Sequence, residues 1–166
     1  FDISADLQEL AQTPVTVVAA GAKAILDLAK TYEVLETLGV PVIAFGQDML
    51  PAFWSASSDM AAPLRMDSAS DIARAQMTRT AMGLSGGQLI ANPIPKDAEI
   101  PADVLRPIID QALKEADAQG VSAKAVTPFL LGRIFELTDG QSLTANIALV
   151  RNNARLAAQI AIAMGK

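Results

Sequence analysis

Apolar side chains recur in two rhythms along the chain. Ile3, Leu7, Leu10 and Ala11 follow helical spacing, closed by Pro14. Residues 15–20, rich in Val and followed by Gly21, read as a buried strand. The pattern from 23 to 38 is helical, with a weak point near Thr31 and Gly39 as its cap. A second strand is expected over 42–45, after Pro41. Residues 46–65, with Pro51, Pro63 and the serines at 55, 57 and 58, read as a long loop. Asp67, Ser68, Ser70 and Asp71 offer oxygens to orphan N–H donors, so a helix should start there and run to about Met82. After the turn at 83–87 a third strand is expected at 88–91, ending at Asn92-Pro93. Pro101 opens a helix through Gln119, stopped by Gly120. Another begins with Thr127 as cap and Pro128 in its first position, and ends near Leu137. The last, about 142–164, is long and rich in Ala and Ile, and is expected to be largely buried.

Strands alternating with helices, then three helices in a row, predict an α/β fold. The expected form is a three-layer α/β/α lobe with a small parallel or mixed sheet and a helical C-terminal part. The 166 residues suit one domain, 1–166, and three strands are few for this much helix. With 51% hydrophobic and 19% charged residues, a sizeable core is available and disorder is excluded. Aromatics make up only 4%, so Ala, Leu, Ile and Val must do the packing. The net charge of −5 repels a nucleic-acid duplex, and no basic cluster offsets it. No stretch approaches the roughly eighteen uninterrupted apolar residues of a membrane span. Phe1-Asp2 does not begin a signal peptide and is not an initiator Met. A preceding portion is therefore expected, either removed or carried by a partner chain.

The chain has no cysteine and no histidine, so thiol nucleophiles, thiolate zinc sites and His-dependent triads are absent from it. Catalysis must use Asp, Glu, Lys, Ser, Thr or Asn. Lys23 follows the first strand and stands at a helix start. The positive end of a helix and desolvation among Ala and Ile both favour a neutral amine, the form that attacks a carbonyl. A surface lysine snorkelling from the first turn has the same spacing. Asp2, Ser4 and Asp6 place two carboxylates and a hydroxyl at another helix start. Such a start could bind phosphate, hold a hard cation or simply cap the helix. Asn146, Asn152 and Asn153 form a polar stripe in the final helix that faces either solvent or a cleft. Asp48, Arg65 and Asp67 read as isolated structural residues.

Taken together, FDISADL, VTVVAAGAKAILDL, VLETLGVPVIAF, MDSASDIARA, LIANPIP, VTPFLL and SLTANIALVRNNARLAAQIA closely resemble the pseudouridine-5′-phosphate glycosidases. That family includes the indigoidine synthase A proteins. The resemblance runs from Phe1 almost to the C-terminus and departs most between Gln47 and Pro63. It implies cleavage of the C–C glycosidic bond of pseudouridine 5′-phosphate to uracil and ribose 5-phosphate. By the same resemblance Lys23, in AGAK, is the nucleophile, and Asp2 is a ligand of manganese. Ser4, Ala5 and Asp6 inherit substrate contacts, and Asn146 lies beside the site. A homotrimer in the cytoplasm is the implied assembly and place.

A C-glycoside has no leaving oxygen or nitrogen to protonate, so ordinary two-carboxylate hydrolysis suits it poorly. Ring opening and an imine on Lys23 supply an electron sink beside the bond to be broken. An acid must then protonate the departing uracil carbon. The family's general acid, a Glu, and its phosphate-binding Lys belong to an N-terminal portion that this sequence does not contain. The chain alone is therefore expected to turn over little substrate. A silent scaffold or oligomerisation subunit and a class I aldolase-like phosphosugar lyase are the competing functions.

Overall fold

Residues 4–22, 27–122 and 125–165 are described by the computed structural model. Strands β1 (Thr16–Ala19), β2 (Val42–Phe45), β3 (Leu64–Met66) and β4 (Gln88–Ala91) form one sheet in the order β1-β4-β2-β3. Every neighbouring pair is parallel, so each connection returns the chain to the same edge, and the one from β2 to β3 does so without a helix. The helices are α1 (Ala5–Gln12), α2 (Leu28–Thr37), α3 (Ala69–Ala81), α4 (Ala102–Ala118), α5 (Val126–Leu137) and α6 (Gln141–Met164).

Side-chain alternation along the strands divides the core in two. Val42, Ala44, Leu89 and Ala91 pack with Leu10 of α1 and with Tyr32 and Leu35 of α2. Ile43 and Ile90, one position out of phase, pack with Ile72 of α3 and Leu156 and Ile160 of α6. The sheet is thus covered on both faces, and the three-layer α/β/α lobe is the observed fold. A third cluster lies beyond the carboxyl ends of the strands. There Trp54, Ile94 and Ile100 meet Leu105, Ile109, Leu130, Ile134 and the first turns of α6.

Several sequence expectations need correction. β1 is an edge strand and only half-buried, and Val15 lies outside it. A fourth strand, β3, occupies the end of the segment read as loop, and its residues Leu64 and Arg65 are exposed. Burial of a short edge strand on one side leaves too weak a hydrophobic run to be seen in sequence. α2 is unbroken at Thr31, whose hydroxyl donates to the Asp27 carbonyl one turn back; residues 23–26 lie outside the described residues. α5 starts at Val126, capped by Ala125, so Thr127 and Pro128 sit within its first turn. α6 is not largely buried. Ser142, Ala145, Leu149, Leu156 and Ile160 are covered, while Leu143, Ile147 and Val150 are about half exposed, at 50%, 49% and 55%. Asp48, Arg65 and Asp67 are not isolated, since Arg65 donates to both carboxylates at 2.9 Å.

No helix among the described residues is long and apolar enough to cross a membrane.

Candidate functional site

In an open parallel sheet, ligands bind outside the carboxyl ends of the strands, and there the chain leaving β1 meets the first turns of α6. The Gly87 amide, just before β4, donates to the Leu10 carbonyl at 2.8 Å, which fixes the last turn of α1 near the start of β4. Its first turn carries Ser4, Ala5 and Asp6. Ser4 is the N-cap, and its hydroxyl accepts from the Asp6 amide at 3.3 Å. All three residues are exposed, so the remaining N–H groups of that turn are open to an anion. The capping role read for this start holds for Ser4.

β1 delivers the chain to the carboxyl edge of the sheet. Ala20 is 2% exposed and belongs to the cluster that includes Ala145 and Leu149 of α6. Gly21 follows with φ +88°, in the left-handed region that favours glycine. A Cβ there would stand 2.2 Å from the Pro51 carbonyl oxygen. The Phe53 amide donates to the Ala20 carbonyl at 2.8 Å, so the 47–63 segment clamps this turn from above. Phe53 itself has φ 59°, an uncommon conformation for an aromatic residue, and meets Trp54 edge to face with centroids 4.9 Å apart. The Tyr32 hydroxyl lies beneath the turn, buried and without a hydrogen-bond partner among the described residues. Burial pushes its pKa up, and the Ala22 backbone it faces pulls weakly the other way. Lys23 comes next in the chain. It and Asp2 lie outside the described residues.

α6 supplies the other wall. It packs against β1 and carries Asn146, half-buried, beside the buried Ala145. About two turns on, its other asparagines are engaged by the residues that follow β4. Asn152 donates to the Pro93 carbonyl at 3.0 Å, and Asn92 donates its side-chain amide to Asn153 Oδ1 at 3.0 Å. The stripe read as solvent or cleft is therefore turned toward the sheet. Asn92 was visible in the sequence only as the end of a strand before a proline. Its role needed the partner on α6, 61 residues away.

The 47–63 segment, unassigned from sequence, is an ordered cover. Gln47 Nε2 donates to the Met49 and Ala56 carbonyls, Ser58 Oγ to the Leu50 carbonyl, and Ser55 Oγ to the Ile100 carbonyl. Small side chains there free backbone for these bonds, which is why no hydrophobic rhythm marks it. Among the described residues no group of three or more Asp or Glu side chains is placed to hold a metal. Ser4 and Asp6 alone do not make a ligand set for a hard cation. A groove of about 430 Å³ beside Pro107, Gln111 and Lys114 of α4 contains none of the candidate residues.

Comparison with known proteins gives the family and agrees with the fold. A pseudouridine-5′-phosphate glycosidase of Paracoccus denitrificans is 74% identical over 99% of this chain, and one of a Jannaschia species is 71% identical over the same share. The chain spans about half the length of these relatives, 54% in each case. Among solved structures, a prealnumycin C-glycosynthase in complex with ribulose 5-phosphate superposes on 98% of this chain. Its TM-score is 0.91 and its identity 34%, and 54% of its own length is covered. An indigoidine synthase A-like protein of Thermotoga maritima gives 0.89 and 33% over 99% of this chain and 55% of its own. The family model described as indigoidine synthase A like protein matches residues 1–163, and the chain belongs to that family.

Proposed function

We propose that the chain is the lysine-bearing part of a pseudouridine-5′-phosphate glycosidase, with Lys23 as nucleophile. One observation carries the reading. The turn that leads into Lys23 packs at the carboxyl end of the sheet against the first turns of α6, which carry Asn146. High identity to proteins named for this activity supports it, and so does the phosphosugar held by a structural relative.

In the proposed reaction the Lys23 amine forms a bond to the anomeric carbon as the bond to the ring oxygen breaks, and that oxygen takes a proton. Expulsion of uracil breaks the C–C bond, with its electron pair taken up as a C–H bond to a proton from a general acid. The resulting imine is hydrolysed by water, which returns the amine and releases ribose 5-phosphate. Ser4, Ala5 and Asp6 line the sugar phosphate, and Asn146 holds a polar group of the substrate. The general acid and a phosphate-binding lysine come from the remainder of the relatives' length. Loss of one general acid costs roughly a hundred- to ten-thousand-fold, so this chain alone turns over little substrate. Asp2 is proposed as one ligand of Mn²⁺, which would polarise oxygens of the substrate. The proposed assembly is a cytoplasmic homotrimer; the exposed Leu143, Ile147 and Val150 of α6 offer apolar area for contact.

Borohydride trapping with ribose 5-phosphate tests the mechanism. A covalent adduct on Lys23 in wild type and none in Lys23→Ala is expected, with uracil release by the complete enzyme lost in the same variant. Uracil release that survives Lys23→Ala overturns the nucleophile. An adduct on Lys23 without uracil release from pseudouridine 5′-phosphate points to the class I aldolase-like lyase, and no adduct at all to a scaffold. Activity that survives both Asp2→Asn and a chelator removes the metal from the proposal.

A further inference from the structure

The amide of Asn92 joins the two walls that the proposed reaction needs. Asn92 is 3% exposed, at the carboxyl end of the central strand β4. Its backbone N–H donates to the Ala19 carbonyl at 2.8 Å, which ties β4 to the last residue of β1, four positions before Lys23. Its side chain donates to Asn153 Oδ1 at 3.0 Å, and the next residue, Pro93, accepts from Asn152 at 3.0 Å. One dipeptide thus grips the lysine-bearing strand on one side and α6 on the other.

Packing alone does not call for a polar pair here. The surroundings are apolar, with Ile90, Ala91 and Ile94 almost fully buried beside it. A buried amide must spend its hydrogen bonds well to be tolerated in such a place. What two directional bonds add over a leucine contact is register. Apolar helix surfaces slide against a sheet at little cost, whereas a bond of 3.0 Å between fixed side chains does not. Asn146 and Asn153 are seven residues apart and so share one face of α6, about 10 Å apart along its axis. Fixing Asn153 to the strand end fixes how far Asn146 reaches over it.

We propose that Asn92 and Asn153 are positioning residues, which set the register of α6 against β4 and so hold Asn146 at a constant distance from the Lys23 turn. The inference rests on the glycosidase reading given above. Neither residue touches substrate; both act through Asn146 and the β1 end. A misplacement of about 1 Å in such a site lowers rate on the order of a hundredfold.

The test uses the full-length enzyme with pseudouridine 5′-phosphate. Asn92→Ala and Asn153→Ala are each expected to lower kcat about 10- to 100-fold and to raise KM as well, since a displaced Asn146 holds the substrate less well. The double variant should be no slower than the slower single, because both remove one bond. Asn92→Asp should recover most of the rate, since the Asn153 amide turned end for end donates to a carboxylate. Asn153→Ala, at a half-buried position, keeps the test open if Asn92→Ala does not fold. Unchanged kcat in folded variants, losses that multiply in the double, or Asn92→Asp as slow as Asn92→Ala overturns the proposal while leaving the glycosidase reading intact. A wild-type enzyme that releases no uracil overturns both.

Discussion

The indole N–H of Trp54 donates to the Ser142 carbonyl at 3.1 Å, across 88 residues of chain. It fastens the 47–63 cover to the first turn of α6, and Trp54 O in turn accepts from the Ile100 amide at 2.8 Å. Trp54 is 3% exposed, so the bond is shielded from water. Trp54→Phe should destabilise by about 2 kcal/mol, since it removes a shielded hydrogen bond and leaves unfilled volume, although the Ser142 carbonyl keeps its donor within α6. Trp54 is the single tryptophan, so urea unfolding of the variant must be followed by circular dichroism. The midpoint should fall while the slope stays constant. An unchanged midpoint means that the cover is not fastened there.

Two glycines with positive φ separate backbone strain from steric conflict. Gly39 has φ +70° and open space around its Cβ position, whereas Gly21 has φ +88° and the Pro51 oxygen 2.2 Å away. Gly39→Ala should cost about 1 kcal/mol, the left-handed penalty alone. Gly21→Ala should cost roughly 3 kcal/mol, because backbone must also move. It should further slow adduct formation at Lys23, which Gly39→Ala should not. Equal losses of stability in the two variants contradict the close approach of the cover to the turn.

The parts of the fold with a strong internal rhythm were legible in the sequence. β2 and β4, buried on both faces, announce themselves as short apolar runs, Val42–Phe45 in the one and Leu89, Ile90 and Ala91 in the other. Ser68 was readable as a cap because its hydroxyl serves a donor three residues on, that of Asp71. What escaped depends on partners far along the chain. β3 is three residues with an exposed pair, and it exists because Ile43, Ala44 and Phe45 offer it an edge. The burial of α6 was overestimated because composition does not reveal which of its faces meets the sheet. For the proposed site, local chemistry and family motifs single out Lys23 and the Ser4–Asp6 start in the sequence. Tyr32, Asn92 and the Pro51–Phe53 clamp are not singled out there, since each acquires its meaning from a contact that no spacing encodes.

Acid should weaken the join between α4 and α5. Arg133 donates to both oxygens of Glu115 and, at 2.7 Å, to Glu136. The Arg133 hydrogen bonds, with a further one from Gln111, hold the Glu115 carboxyl below its ordinary value of 4.5. A carboxyl depressed in the folded state stabilises it fully above the ordinary range, and that contribution is lost as pH falls through the folded value. Arg133 stays charged throughout. Thermal unfolding of wild type and Glu115→Gln should therefore differ slightly at pH 7 and converge near pH 3. The difference should also shrink in high salt, because the pair is partly open to solvent. A gap that persists in acid assigns the effect to packing instead.

Tyr32 should be better as phenylalanine for folding. Its ring packs with Leu35, Val42 and Leu89, and its buried hydroxyl makes no well-formed hydrogen bond among the described residues, with only the Ala22 backbone facing it. Removing a poorly paired buried hydroxyl recovers part of its desolvation cost of about 1–3 kcal/mol, so Tyr32→Phe should unfold at the same or a higher temperature. The residue is the single tyrosine of the chain, so phenolate absorbance reports on it alone. Burial raises its pKa above the ordinary 10.0, which keeps the phenol neutral in the folded protein at pH values where the unfolded chain ionises. Stability should accordingly decline as pH rises past 10, with phenolate appearing only as the protein unfolds, and Tyr32→Phe should lessen that decline. A phenolate signal in the folded protein near pH 10, or a variant less stable than wild type at pH 7, shows that the hydroxyl has a partner after all.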